Sequence, residues 1–402
     1  MKLVITALVE QHAAEIAALI MLRSHAVESP RYHARHLAQL DERIAMHLDG
    51  LREAGVAAGA IVGAAVAANP EIGEATTVVV QALLVPGEVR QHLSAAFTAL
   101  APVAPALWHR AGIAVRWVDR AAAQELLTFC QQSDDHRHHL LALGAAMQVR
   151  QAPAGLIVRA LADPRTSAAA ADTAGVLGER DWQPALRGLL NSDDLATRFA
   201  AARALALRGG ESAAWRVLHW FSESRSPLRH AALALAGRCA APGSHAGWLH
   251  PLMSDRARRG DALVLAGAWG DPLVLPWLAR CLRDPVHARC AGAMVSLITG
   301  VDLDDEGLSR AVEDDVADDG PNDDPADDHV DPDPDHDLSW PDAEAVDRWL
   351  AAHPLPVGVR HLAGRAIDEA ACVAIIADGF QPQRQAAAVE LVRLRGGVLT
   401  AF

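Results

Sequence analysis

Arg198-Phe199-Ala200-Ala201-Ala202-Arg203-Ala204-Leu205, Arg229-His230-Ala231-Ala232-Leu233-Ala234-Leu235 and Arg289-Cys290-Ala291-Gly292-Ala293-Met294 are three readings of one pattern. Each opens on arginine and continues as a helix face of small residues. Each follows a polar turn, and the turns align at Asp163, Asp193, Ser224, Asp255 and Asp284, in steps of 30, 31, 31 and 29 residues. The arginine falls five residues past the turn at Arg198, Arg229 and Arg289, and four past it at Arg259. A period of this length means that each unit hides its apolar face only against its neighbours.

The turn aspartate, the arginine opening the second helix and the Ala-Ala-x-Ala-Leu face resemble HEAT-like repeats in their short form of about thirty residues. The expected fold is therefore all-α, an α-solenoid of HEAT-like helix pairs. The aspartate is expected to cap the second helix. The alanines let helices approach closely, and the arginines are expected to reach neighbouring turns as a ladder. Gly178, Gly209, Gly270 and Gly300 stand where helices end, as left-handed caps.

Outside the repeats the expected units are an N-terminal helical domain over 1–115, the array over 116–301, an acidic disordered insertion over 302–338 and a C-terminal helical cap over 339–402. The N-terminal helices are expected over Ile5–His25, Ala34–Ala54, Ala54–Ala68 and Glu71–Val85, with a turn at Pro86-Gly87. Gly112–Val118 reads as a short strand, although one isolated strand has nowhere to pair. Helices return over Pro341–His353, Asp368–Ala377 and Gln383–Arg395. Arg384 before Ala386-Ala387-Ala388 repeats the second-helix pattern as a final capping repeat.

The string from Leu22 to Tyr32, then Leu40-Asp41-Glu42-Arg43-Ile44 and His47-Leu48-Asp49-Gly50-Leu51, looks like the opening of an uncharacterised proteobacterial HEAT-repeat family. Arg360-His361-Leu362 and Gln381-Pro382-Gln383-Arg384 look like its C-terminal part. The resemblance implies genes often placed near those of type VI secretion. It implies no catalytic residues.

Charge narrows the function. The chain carries −14 overall, but residues 302–337 hold 17 acidic groups and one arginine, a net −16, so the other 366 residues sum to +2. A near-neutral body argues against nucleic acid and anionic membrane as partners. Lys2 is the one lysine, and we read the arginine excess as genomic composition. Cys130, Cys239, Cys281, Cys290 and Cys372 have no Cys-x-x-Cys spacing and are expected to be buried and reduced. The opening residues lack the apolar core of a signal peptide, and Ala54–Asn69 is too short to span a bilayer. Gly55, Gly59 and Gly63 there suggest close helix packing. The expected location is the cytoplasm.

Chemistry-bearing clusters are few. Asp134-Asp135-His136-Arg137-His138-His139 sets Asp134 against His138, and Asp135 against His139, at helical spacing. Such pairs can ligate a metal but also suit a solvated helix start. In the acidic segment, setting Asp315 first in a calcium loop puts Asp319 and Gly320 correctly but Ala317 and Ala326 at ligand positions, so the loop fails. No nucleophile elbow, phosphate loop or zinc-protease motif occurs. Trp248 and Trp277 each stand seven residues before a turn aspartate, either as core or as a partner anchor.

The leading expectation is thus a non-enzymatic scaffold for a protein partner, without cofactor or metal. Its candidate binding residues are Arg198, Arg229, Arg259, Arg289, Trp248 and Trp277. An alternative is an enzyme like the HEAT-like alkylpurine DNA glycosylases, with Trp269, Trp277 and Asp271 drafted as site residues. A metal- or pigment-dependent lyase or hydroxylase of the short repeats is a third.

Overall fold

A computed structural model describes residues 4–85, 89–153, 155–208, 212–239, 245–311, 333 and 335–395. Among them are 21 α-helices and a single two-stranded hairpin, so the fold is all-α. The chain divides into two compact units. The first runs to Val27 and resumes from Arg35 to Val217, while the second takes Glu28–Ala34 and continues from Leu218. Most of the acidic segment, with Asp315, Asp319, Gly320 and its expected disorder, lies outside the described residues, as do Pro86, Gly87 and Gly209.

The first unit opens with α1 (Thr6–Glu28), α2 (Ala34–Ala54), α3 (Val56–Ala68), α4 (Ile72–Leu84), α5 (Val89–Ala99) and α6 (Pro105–Ala111). Leu37, Leu40, Ile44, Leu48 and Leu51 are buried along α2, at the three- and four-residue steps of one helix face. On α1, Val9, Ile16, Leu19 and Ile20 are buried as their spacing requires, but Leu8 is exposed. Helix α4 is buried nearly all round. Its Thr76 and Thr77 hydroxyls donate to the carbonyls of Ile72 and Gly73, at 2.7 and 2.8 Å, which satisfies them without water.

Gly112–Trp117 is a 3₁₀ helix, not a strand. Among the described residues no strand pairs with it, and close packing decides the conformation instead. A Cβ on Gly112 would lie 2.4 Å from the Ala145 nitrogen, and one on Gly144 would lie 1.9 Å from the His109 oxygen. Two backbones meet there, and only glycine permits it. Next come α7 (Arg120–Gln131), whose Asp119 accepts from the Ala122 amide as an N-cap, and α8 (His136–Val149).

The repeat follows as five helix pairs. They are α9 (Leu156–Ala162) with α10 (Ser167–Leu177), α11 (Gln183–Leu189) with α12 (Leu195–Ala206), α13 (Ser212–Glu223) with α14 (Arg229–Cys239), α15 (His245–Ser254) with α16 (Arg259–Trp269), and α17 (Leu275–Cys281) with α18 (Ala288–Thr299). The first two pairs belong to the first unit and the last two to the second. Helix α13 spans the division, and α14 lies in the second unit. All five expected turns fall between the helices of a pair. Gly178, Gly270 and Gly300 end α10, α16 and α18 in the left-handed region, at φ of 92°, 76° and 78°.

The turn acids work differently from expectation. Asp163, Asp255 and Asp284 accept from the amides of Arg165, Ala257 and Val286, two residues on, closing the turn itself. The turn is longer than one residue, so its first carboxylate is too far back to reach the second helix. In the second pair that helix is capped by Asp194, which takes the Thr197 amide at 2.8 Å.

Second helices of successive pairs approach through small residues. A Cβ on Gly175 in α10 would stand 3.1 Å from that of Ala204 in α12, and one on Gly237 in α14 would stand 2.8 Å from that of Ala268 in α16. Beyond the pairs, the second unit holds α19 (Ala343–Ala352), strands β1 (His361–Leu362) and β2 (Arg365–Ala366), α20 (Glu369–Asp378) and α21 (Gln381–Arg395). The hairpin crosses the C-terminal ends of α16 and α18. The amides of His361, Ala363 and Gly364 donate to the carbonyls of Gly270, Leu297 and Ile298 at 2.7–2.9 Å. Arg360 donates to the carbonyls of Trp269 and Ala268, at 2.6 and 3.2 Å. These are orphan carbonyls that a helix cannot satisfy internally.

Candidate protein-interaction surface

Helix α13 buries Ala214, Leu218 and Phe221, at steps of four and three. That face turns Trp220 outward, where it stays 47% exposed with its ring edge-on to Phe221 at 5.0 Å. The preceding His219 stacks on Trp248 of α15, with ring centroids 5.8 Å apart and planes 17° from parallel. Trp248 rests partly against the core of the second unit, and its buried Nε1 has no acceptor among the described residues. Exposed indoles, and imidazole–indole stacks such as the one a residue away on the same helix, are the kind of aromatic surface that partners use as anchors. The amphipathic period of α13 carried the signal for Trp220, but reading the tryptophans by repeat position passed over it.

The other expected residues are placed as follows. Trp277 is 9% exposed and belongs to the core with Leu263, Leu278 and Val295. Arg198 donates from Nε to the Ser192 carbonyl of its own turn at 2.7 Å. Arg229 reaches Asp261 on α16 at 2.9 Å. Arg259 pairs with Asp284 in the next turn. Arg289 pairs with Asp333 at 2.6 Å and donates to the Asp335 carbonyl at 3.1 Å. In the second unit, then, each arginine that opens a second helix takes a carboxylate from chain further on. The last, having no further pair, takes it from the end of the acidic segment. Arg289 also lies 4.8 Å from the Trp340 ring, with Arg310 at 5.5 Å.

Asp261 is 1% exposed and accepts from Arg258 at 2.9 Å as well, with His230 at 3.2 Å. The Arg289 guanidinium beside Asp333 holds that carboxyl below its ordinary range, whereas burial pushes Asp335 up. Glu390 of α21 is as buried as Asp261. It accepts from Arg360 at 2.6 Å and Arg393 at 3.1 Å, with Arg238 at 3.9 Å. A carboxylate this deep is tolerated only because cations and donors surround it.

The histidine cluster serves structure. Asp135 caps α8, and the Arg137 side chain bonded to it holds its carboxyl far below the usual carboxylate range. His138 shares a hydrogen bond with the Ser133 hydroxyl at 2.7 Å, and His139 donates to the Ser133 carbonyl at 2.8 Å. His138 also sits among Phe97, Trp108 and Phe129, and this burial pushes its pKa down. All five thiols are free. Burial raises Cys239 and Cys372 to about 11 and Cys290 to about 12, so at neutral pH they are poor nucleophiles.

The residues drafted for a glycosylase-like site are engaged with backbone. Asp271 accepts from the amides of Leu273 and Gly358, at 2.9 and 3.1 Å, and the Trp269 carbonyl is taken by Arg360. Among the described residues, no helix is long and apolar enough to cross a membrane.

Residues 153–237 match a family model of HEAT repeats. No curated protein and no solved structure matches the chain. The matched stretch begins just before the first helix pair and ends within α14. Fold and match together define an all-α protein carrying HEAT-like helix pairs.

Proposed function

We propose that this chain is a non-catalytic scaffold that binds a protein partner on the ledge formed by Trp220, His219 and Trp248. The observation that carries the reading is the exposed indole of Trp220 on α13, next in sequence to His219, which stacks on Trp248. HEAT repeats commonly serve as interaction scaffolds, which supports the same reading. Arg229, Arg259 and Arg289 are engaged within the unit, and their proposed part is to fix the pairs that present the ledge. The resemblance of the opening segment extends the proposal to a cytoplasmic partner among type VI secretion components or effectors.

The test is affinity capture from the native host with the wild-type chain and with Trp220→Ala, quantified side by side. A protein recovered reproducibly by the wild type and depleted at least tenfold by the variant is expected. Equal recovery by both would remove the ledge from the account, and no reproducible protein would remove the scaffold.

A further inference from the structure

A second surface feature lies wholly within the first unit and does not depend on the ledge. The 3₁₀ helix, α2 and the end of α8 line an open surface pocket of about 440 Å³, formed by Asp41, Val115, Arg116, Trp117, Gln148 and Val149. That volume falls in the range of small-ligand sites.

Its charges are arranged in a definite order. Asp41 accepts from Arg23 Nε at 2.6 Å and Arg23 Nη2 at 3.3 Å, and from Arg116 Nε at 2.9 Å. One carboxylate is therefore shared by two guanidiniums, and the trio carries one net positive charge. Arg23 is buried against the Trp117 ring, with its guanidinium carbon 6.0 Å from the centroid. Arg116 is more open, with 38% of its side chain exposed.

The lining has unspent hydrogen-bonding capacity. Arg116 uses only Nε, so Nη1 and Nη2 bond nothing among the described residues. Trp117 Nε1 is buried without an acceptor. The Gln148 amide, on the exposed last turn of α8, makes no hydrogen bond among the described residues. Val115 and Val149 supply apolar wall. An arginine fixed through Nε, with its terminal amino groups unused, presents the fork that suits a planar oxyanion. A single excess positive charge matches a monoanion better than a phosphate dianion, whose second charge would face Asp41 uncompensated.

We propose that this open pocket binds a monocarboxylate with an apolar or aromatic body. The carboxylate is received by the free end of Arg116 and by the Gln148 amide, and the body lies against Trp117, Val115 and Val149. Such a group arises either as a free small acid or as the C-terminus of a peptide.

The test uses the full-length protein and two probes, phenylacetate for the free acid and N-acetyl-leucine for a chain terminus. The uncharged control is phenylacetamide. Binding is read from the Trp117 indole N–H resonance, assigned among the ten tryptophans with Trp117→Phe. A saturable shift of that resonance with at least one carboxylate is expected, with the amide at least about tenfold weaker. The tighter probe identifies the source. Arg116→Met should weaken the carboxylate at least about tenfold while leaving the amide unchanged, and Gln148→Leu should do so to a smaller degree. Gln148 forms no hydrogen bond that folding needs, so its variant serves if Arg116→Met loses stability. Equal binding of acid and amide, binding unaffected by both variants, or no shift at 10 mM probe would each overturn the proposal.

Discussion

Both units bring second helices together through small side chains, and the second adds buried carboxylates. Between α10 and α12, Gly175 faces Ala204, and the hydroxyls of Ser167 and Thr197 meet at 2.9 Å. The charged contact there, Arg203 to Asp172 at 3.4 Å, is more than a third exposed on both sides. In the second unit Asp261 and Glu390 are almost wholly buried, and each gathers several cations. Small residues bring helices close but specify register weakly. A buried carboxylate tolerates only the register that brings its partners to it. The second unit thus adds a charged device to a small-residue contact that both share, and substitutions should separate the two.

Glu390→Ala should have the largest effect. It leaves Arg238 buried without its nearest carboxylate and frees Arg360 from one of its anchors. A loss of about 3–5 kcal/mol is expected. It should appear in urea unfolding and as faster hydrogen exchange in α14 and α21. Retained stability would mean that the node is incidental and that the contrast between the units fails.

Gly144→Ala probes the first unit. The added methyl would meet the His109 carbonyl oxygen, and backbone cannot retreat as a side chain can. A loss of up to about 3 kcal/mol is expected, with exchange increasing in α6 and α8 and unchanged in α21. Asp261→Asn should cost less, about 2 kcal/mol, because Arg229 and His230 regain water once the charge is gone. Pairing it with Arg229→Gln in a double-mutant cycle should give a coupling above about 0.5 kcal/mol.

The smallest effect is a pH dependence at the first turn. The Arg165 side chain bonded to Asp163 holds that carboxyl at about 2. A depressed carboxylate contributes stability above its unfolded pKa of about 3.9, and that contribution disappears as pH falls through the folded value. The melting-temperature gap between wild type and Asp163→Asn should therefore be constant above about pH 5 and close toward pH 2. A gap independent of pH would assign the effect to geometry, not charge.

Much of this organisation was legible because it is local. The five turns, the arginine after four of them and the small-residue faces recur at about thirty residues, and all five pairs form where they repeat. The helix over Ala34–Ala54 was legible from its apolar period. The short strand read at Gly112–Val118 is a 3₁₀ helix, because the packing of Gly112 on α8 is a long-range contact that local sequence does not show. Distance also hid the polar nodes. Arg116 and Asp41 are 75 positions apart, and Arg360 reaches Ala268 across 92. Trp220 lies between these cases, because the period of α13 points it outward but does not give its neighbours.

We propose that α13 and α15 carry the partner-binding surface of this protein. Hydrogen exchange tests it most directly, measured on the full chain with and without the protein recovered by wild-type capture. The account predicts added protection concentrated in residues 218–223 and 247–254. Protection confined to other elements, with that ledge unchanged, would contradict it.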